Sequence, residues 1–175
     1  FSAARQLGIG TVIDPHVPAE RWNTLEDIKE TAAQLNAAAA KGAGYGVRVG
    51  YHNHWWEVES VIDGRTALEH LADHLDPGVV LELDTYWAAV GGQNPADLLA
   101  SLGNRVKFIH IKDGPVTADP TSQLAVGNGK MPVWDVLAAA GSLEAGVIEL
   151  DDFQGDMFDA VRDSYNYLSA GKAAV

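Results

Sequence analysis

The 175-residue sequence contains no cysteine and no long apolar run. Without cysteine there are no disulfides, no thiolate zinc sites and no cysteine nucleophile, so oxygen and imidazole are the metal donors that remain. No stretch approaches the roughly 18 consecutive apolar residues of a membrane span, and no basic-then-apolar leader is visible. We therefore expect no membrane partner and a cytoplasmic location.

Basic residues are also scarce, with 12 Lys and Arg against 24 Asp and Glu and a formal net charge of -12. A nucleic-acid surface would have to form against an unfavourable long-range field, so we predict no nucleic-acid partner. The chain is 47% hydrophobic and 21% charged, which is typical of a globular protein with one sizeable core. We predict a single domain over residues 1–175.

Short apolar runs recur along the chain, and most reach a possible metal ligand at or near their ends. A first run ends at Asp14, and the four later runs cover 46–54, 79–84, 106–110 and 146–149. These later runs end on imidazoles or carboxylates, namely His52 and His54, Asp84, His110, and Glu149. Hard or borderline ligands at the same place in successive units are what a shared metal site needs.

Helical periodicity alternates with these strands. It predicts helices over 24–41, 65–75, 95–102, 132–140 and 157–168, with Asn23 as the first cap and Asn94-Pro95 as a clear start signal. Five strand-helix units with near-continuous hydrophobic strands indicate an α/β fold with a buried parallel sheet. No glycine-rich dinucleotide fingerprint follows the first strand, which favours a (βα) TIM-barrel type over a doubly wound sheet.

Several motifs occur in one order along nearly the whole chain. They are Gly50-Tyr-His-Asn-His-Trp-Trp-Glu57, Leu81-Glu-Leu-Asp-Thr-Tyr-Trp87, Phe108-Ile-His-Ile-Lys-Asp113, Val126-Gly-Asn-Gly129 and Val147-Ile-Glu-Leu-Asp151. Together they closely resemble the xylose isomerase-like TIM-barrel family, the sugar phosphate isomerase/epimerase group, in a Tyr-His-Asn-His subgroup. The resemblance implies strands four to eight of an eight-stranded barrel. Five units do not close such a barrel, so three strands precede Phe1, another chain supplies them, or the sheet is open.

The resemblance also implies a divalent cation (Mn, Mg, Co or Zn) at the C-terminal end of the barrel, where it coordinates adjacent oxygens of a sugar or polyol. By position, Asp84, His110 and Glu149 match three usual ligands of the family. His52 is favoured as the fourth ligand, and Glu57 is the alternative carboxylate.

The resemblance further implies roles in catalysis and substrate binding. Glu149 matches one of two proton-shuttling glutamates, and His54 or Glu57 would replace the other. Lys112 is expected to stabilise an enolate-like oxygen. Four further side chains are predicted substrate contacts, with the tryptophans as an apolar wall: Trp55, Trp87, His16 and Asp113.

Each of these residues also has a plainer interpretation. Asp84 alone would suit a turn cap, His110 a core imidazole, and Lys112-Asp113 a surface ion pair. The motifs together indicate a metal-dependent sugar isomerase or epimerase, or a dehydratase or other lyase acting on a keto-sugar or inosose-like polyol. An abasic-site endonuclease shares the implied fold, but its expected basic stripe is absent. A non-catalytic barrel protein and a homo-oligomer stay open.

Overall fold

The strands of the computed structural model form one parallel sheet and one short hairpin. The structure describes residues 1–141 and 143–171, so Ser142 and residues 172–175 of the predicted domain lie outside it. The strands are β1 (Thr11–Asp14), β2 (Arg48–His52), β3 (Val61–Ile62), β4 (Arg65–Thr66), β5 (Val80–Asp84), β6 (Val106–Ile111) and β7 (Ala145–Ile148). Strands β1, β2, β5, β6 and β7 are neighbours in that order, and every pair is parallel. Strands β3 and β4 form a separate antiparallel pair.

Helices connect the strands and cover the outside of the sheet. They are α1 (Ser2–Gln6), α2 (Leu25–Ala43), α3 (Trp56–Glu59), α4 (Ala67–His74), α5 (Thr85–Val90), α6 (Pro95–Leu102), α7 (Val133–Ala139) and α8 (Met157–Ala170). Their apolar stripes meet the outer face of the strands in one core, in which Leu35, Leu71 and Leu99 are buried. In the part of the chain that the structure describes, no helix is long and apolar enough to cross a membrane.

The predicted architecture is confirmed as a parallel half-barrel sheet of five strands. Strand β5 is buried at every position, whereas Val12 of β1 and Val147 of β7 are 38% and 39% exposed. The sheet therefore has its core along the middle and two open edges. Near the start of the strands, Arg48 of β2 forms a bidentate ion pair with Glu144, 2.7 and 2.6 Å long, across the intervening β5 and β6.

Local details differ from the sequence-based expectations at several helix starts. Thr24, not Asn23, caps α2, because its hydroxyl accepts a hydrogen bond from the Asp27 N–H. The predicted helix over 65–75 begins only at residue 67, after β4. Thr66 and Glu69 form a reciprocal capping box that fixes this start. The short helices α3 and α5 were not predicted, because four to six residues are too few for a helical period to be visible.

Candidate active site

The middle strand brings the candidate ligands together at the C-terminal edge of the sheet. Residues of one strand alternate between the two faces, so Glu82 and Asp84 of β5 project to the same side. Register places His52 of β2 beside Glu82 on one flank, and His110 of β6 beside Asp84 on the other. Glu149 comes directly after β7, the next strand. Four side chains from four different strand ends therefore meet on one face.

Donor atoms of His52, Asp84 and His110 all lie within 4.8 Å of one another. Oδ2 of Asp84 is 3.8 Å from Nε2 of His52 and 3.6 Å from Nδ1 of His110. The same His110 Nδ1 is 3.3 Å from Oε2 of Glu149. Two donors bound about 2.1 Å from one ion lie roughly 3 to 3.5 Å apart, so these spacings are close to those of a coordination sphere.

The hydrogen-bonding state of these atoms fits a cation as well. Asp84 Oδ2, His110 Nδ1 and Glu149 Oε2 are buried, and none has a hydrogen-bond partner within the described residues. Buried polar atoms are normally hydrogen-bonded. Here the two carboxylate oxygens have ion-pair contacts with the Lys112 ammonium instead, and His110 Nδ1 faces both of them. An oxygen and imidazole donor set of this kind suits a divalent metal.

The two carboxylate oxygens of Asp84 have different contacts, one with the backbone and one with the candidate site. Oδ1 accepts a 2.9 Å hydrogen bond from the Trp87 N–H and so caps α5, whereas Oδ2 faces the histidines. The turn cap uses only one oxygen of Asp84, so it does not conflict with the prediction that Asp84 is a metal ligand. Burial would raise the pKa of Asp84, but His110 and Lys112 hold it below its ordinary value.

The charged groups of the cluster control each other's protonation. Burial alone would raise the pKa of Glu82, but His110 and His52 lower it to about 2. Burial would lower the pKa of His110, but the carboxylates of Asp84, Glu149 and Glu82 raise it to about 11. Without a metal, His110 is an imidazolium at neutral pH, so metal binding would have to displace its proton.

Lys112 lies at the centre of the carboxylates rather than on the surface. Its Nζ is 2.9 Å from Asp84 Oδ2 and 2.6 Å from Asp151 Oδ2, and it also contacts Glu149 Oε2. Burial opposes the charge of Lys112, but these carboxylates raise its pKa above the ordinary value, and the ammonium stays charged. The surface ion-pair interpretation of Lys112 is therefore wrong, since the residue is 2% exposed.

Aromatic rings line the approach to the cluster. The His54 ring stacks on Trp56, with ring centroids 4.4 Å apart and planes within 5°. Trp55 and Trp87 meet at 4.9 Å, and His16 lies edge-on to both His54 and Trp56 at 5.5 Å. Burial is the main cause that lowers the pKa of His54 to about 4, so its imidazole is neutral at pH 7.

Glu57 lies behind this aromatic lining and not in the metal cluster. Its Oε1 accepts a 2.6 Å hydrogen bond from the Tyr51 hydroxyl, and its Oε2 accepts one of 2.9 Å from the His54 N–H. Burial raises the pKa of Glu57 to about 7, although both hydrogen bonds lower it. These contacts give Glu57 a role in holding the 52–57 turn. They do not support Glu57 as the metal carboxylate.

Asp113 is likewise committed to the backbone. Its two oxygens accept four N–H hydrogen bonds of 2.8 to 3.1 Å, from Gly114, Gly127, Gly129 and Met131. The residue is 1% exposed. The expectation of a substrate contact therefore has no support in the structure, because no oxygen of Asp113 is free to meet a ligand.

Sequence reasoning did not single out two acidic residues of the site. Glu82 precedes Asp84 by two positions, and that period of two on a strand was the available signal. Asp151 ends one of the motifs and had no predicted role, yet it binds both Lys112 and the Gln123 side-chain amide, which is 2.7 Å away. Gln123 also accepts the Asp151 N–H, which fixes that carboxylate beside Lys112.

Part of the chain is similar in sequence to curated proteins of known name. Curated relatives are inosose dehydratases from Clostridium botulinum (28% identical over 99 residues) and Geobacillus kaustophilus (30% over 93). The matched segments cover 56% and 53% of this chain but only 30% and 27% of those proteins, so the similarity spans less than a third of their length.

Solved structures give the same fold over almost all of the chain. Two sugar phosphate isomerase/epimerase structures from Parabacteroides distasonis superpose with TM-scores of 0.76 and 0.81, at 26% and 23% identity. They cover 98% and 99% of this chain, which covers 61% and 65% of theirs. An IOLI protein with a zinc atom has a TM-score of 0.75 at 18% identity, over 95% of this chain and 64% of its own. The family model for the xylose isomerase-like TIM barrel matches residues 1–168, and the chain therefore belongs to that family.

Proposed function

We propose that this chain carries the metal site of a sugar isomerase or epimerase that depends on a divalent cation. The observation that carries the proposal is the convergence of three buried donor atoms without a hydrogen bond in the described residues, namely Asp84 Oδ2, His110 Nδ1 and Glu149 Oε2. The two carboxylate oxygens among them contact the Lys112 ammonium. His52 would complete the ligand set through Nε2. The zinc atom named in the IOLI structure supports a metal in this fold.

Charge balance supports a divalent ion at this place. Four acidic side chains surround the site: Glu82, Asp84, Glu149 and Asp151. Among the described residues, Lys112 is the Lys or Arg whose side chain forms ion pairs within this group, with the last three of them. In the metal-free chain, the Lys112 ammonium and the His110 imidazolium offset two of these four carboxylates and leave an excess of negative charge. A divalent cation would relieve the excess of negative charge.

The residues around the donors can serve proton transfer. A divalent cation held by His52, Asp84, His110 and Glu149 would polarise a carbonyl or hydroxyl of the substrate and ease removal of the neighbouring C–H proton. His54 is neutral at pH 7 and stands at the approach, so it can accept that proton. Glu149 is the second candidate for a proton shuttle, and Lys112 can stabilise negative charge that develops on oxygen.

The lining of the approach favours a neutral sugar or polyol over a phosphorylated one. Trp55 and Trp56 are partly buried and offer apolar ring surface that could pack against the C–H faces of a sugar. Trp87 is 3% exposed and packs behind Trp55. A phosphate dianion near Lys112 would also meet the carboxylates of Asp84, Glu149 and Asp151, and their repulsion disfavours it.

A dehydratase acting on a keto-polyol is the second candidate, because both curated relatives are inosose dehydratases. Both reactions begin with the same proton abstraction and differ in the second step. Return of the proton gives an isomer or epimer, whereas loss of a β-hydroxyl gives an unsaturated ketone and water. Turnover in heavy water separates the two reactions. The product of an isomerase or epimerase has the mass of the substrate plus any deuterium taken up beside the carbonyl. The product of a dehydratase is lighter by one water.

Metal binding is tested by unfolding with and without Mn²⁺. A ligand at 100 times its Kd stabilises the folded state by about 2.7 kcal/mol, so Mn²⁺ should raise the Tm of the wild-type chain. Asp84→Asn keeps the capping oxygen of α5 but removes the charged ligand, and it should lose most of that increase. The matched control is Asp163→Asn, on the exposed face of α8, which should keep it. An equal increase in both variants would rule out Asp84 as a ligand.

A further inference from the structure

Glu82 is a buried carboxylate that faces the two candidate histidine ligands from the side opposite Asp84. It is 8% exposed. Its Oε1 lies 3.1 Å from Nε2 of His110 and 3.3 Å from Nδ1 of His52. Both ion-pair partners of Glu82 in the described residues are therefore imidazoles of the candidate site. Neither the family comparison nor the ligand set assigns a role to this residue.

Each of the two rings has one nitrogen near Glu82 and the other near Asp84, and the two rings use their nitrogens in opposite ways. His52 presents Nδ1 to Glu82 and Nε2 to Asp84, whereas His110 presents Nε2 to Glu82 and Nδ1 to Asp84. An ionised carboxylate only accepts hydrogen bonds, so Glu82 favours the tautomer in which the ring nitrogen beside it keeps its hydrogen. The 3.3 Å contact with His52 Nδ1 is within ion-pair distance but is not aligned as a hydrogen bond. The lone pair of each neutral ring then points toward Asp84.

Strand order makes one carboxylate sufficient for both rings. Strand β5 lies between β2 and β6, so a side chain at its centre reaches a histidine on either flank. The ring centroids of His52 and His110 are only 4.5 Å apart. A carboxylate that binds the second nitrogen of a metal-ligating histidine fixes its orientation and tautomer, and its loss lowers metal affinity roughly 10- to 100-fold.

We propose that Glu82 is a positioning residue that fixes His52 and His110 so that Nε2 of the former and Nδ1 of the latter face one divalent cation at Asp84. The inference rests on the proposed function, because it requires that cation. Glu82 itself faces the far nitrogens of the rings and acts through them.

Zn²⁺ titration by calorimetry tests the affinity. Glu82→Gln keeps the size of the side chain and removes its charge, and it should weaken Zn²⁺ binding by about 10- to 100-fold. Glu26→Gln removes the same charge from an exposed position of α2 and should bind as the wild type does. If the wild type binds Zn²⁺ and Glu82→Gln binds it equally well, the inference is wrong and the proposed function stands. If the wild type binds no Zn²⁺, both fall.

The tautomers provide a second test that needs no variant and does not depend on Glu82→Gln folding. In the Zn²⁺-loaded wild type, ¹⁵N–¹H correlation spectra of the histidine rings should show His52 protonated at Nδ1 and His110 protonated at Nε2. A role in folding alone predicts no such opposite pair. The same nitrogen protonated in both rings, or the reverse assignment, would overturn the inference.

Discussion

At the scale of single residues, the acidic side chains in and around the site differ in how they use their two carboxylate oxygens. Asp84 caps α5 with one oxygen and leaves the other buried without a hydrogen bond. Lys112 offsets this burial with an ion pair, since an isolated buried carboxylate would be very unfavourable. Asp113 and Glu57, by contrast, use both oxygens for backbone or hydroxyl donors.

Glu57 should make the stability of the metal-free chain depend on pH. Its pKa is raised from 4.5 to about 7, so the folded state holds the proton more tightly than the unfolded state. The resulting stabilisation is complete below about pH 4.5 and is lost as pH rises to about 7. Glu57→Gln stays neutral, so its stability relative to the wild type should rise by roughly 2 to 4 kcal/mol between pH 4.5 and 7.5.

Urea unfolding of both proteins at the two pH values measures this difference. The side-chain amide of Glu57→Gln cannot accept one of the two hydrogen bonds. This loss changes the free energy of unfolding by the same amount at both pH values, so it cancels when the two differences are compared. Glu59→Gln, at the exposed end of the same helix, is the control and should follow the wild type. A difference between Glu57→Gln and the wild type that stays constant with pH would contradict the raised pKa.

At the scale of elements, the short helices after β2 and β5 shape the approach to the site. Helix α3 carries Trp56, and α5 carries Trp87, directly beyond the strands that end in His52 and Asp84. Gly91 ends α5 against α3, where an added Cβ would lie 2.4 Å from Val58 Cγ2 and 2.5 Å from the Trp55 carbonyl oxygen. The two helices can therefore approach this closely only with glycine at this position.

Gly91→Ala should therefore destabilise the chain by about 1 to 3 kcal/mol through overpacking and should alter the tryptophan fluorescence around Trp55.

Two other glycines distinguish steric overpacking from backbone strain. Gly92→Ala has open space but a φ of +86°, so it should cost about 1 kcal/mol of backbone strain without changing the fluorescence. Gly78→Ala has neither restriction and should be close to neutral. Urea unfolding and emission spectra check all three, and an unchanged Gly91→Ala would show that α3 and α5 yield without cost.

At the scale of the whole molecule, the acid excess of the chain disfavours polyanionic ligands. A net charge of -12 opposes the approach of a polyanion, and binding to DNA needs basic side chains that contact phosphates. The acidic side chains of the site add to this negative field at the C-terminal edge of the sheet. A small neutral polyol meets no such barrier.

We therefore expect no incision of a duplex with an abasic site, with Mn²⁺ or Zn²⁺ present and at physiological salt. The assay is gel electrophoresis of labelled duplex, with the Asp84→Asn variant beside the wild type. Cleavage by the wild type that disappears in Asp84→Asn would assign the cluster to DNA and would contradict the sugar proposal. Cleavage that persists in the variant would come from a contaminant.

The sequence by itself determined the parallel α/β order, because strands buried on both faces read as continuous apolar runs between helical periods. It also indicated which strand ends carry imidazoles and carboxylates. Only the tertiary structure decided which of them meet. His52 and Asp84 converge although Asp113 turns away, since hydrogen bonds to the 114–131 backbone direct the Asp113 side chain. The place of Glu82 between two imidazoles likewise depends on the register of β2, β5 and β6, and pairing between strands far apart in the chain is not encoded in any one segment.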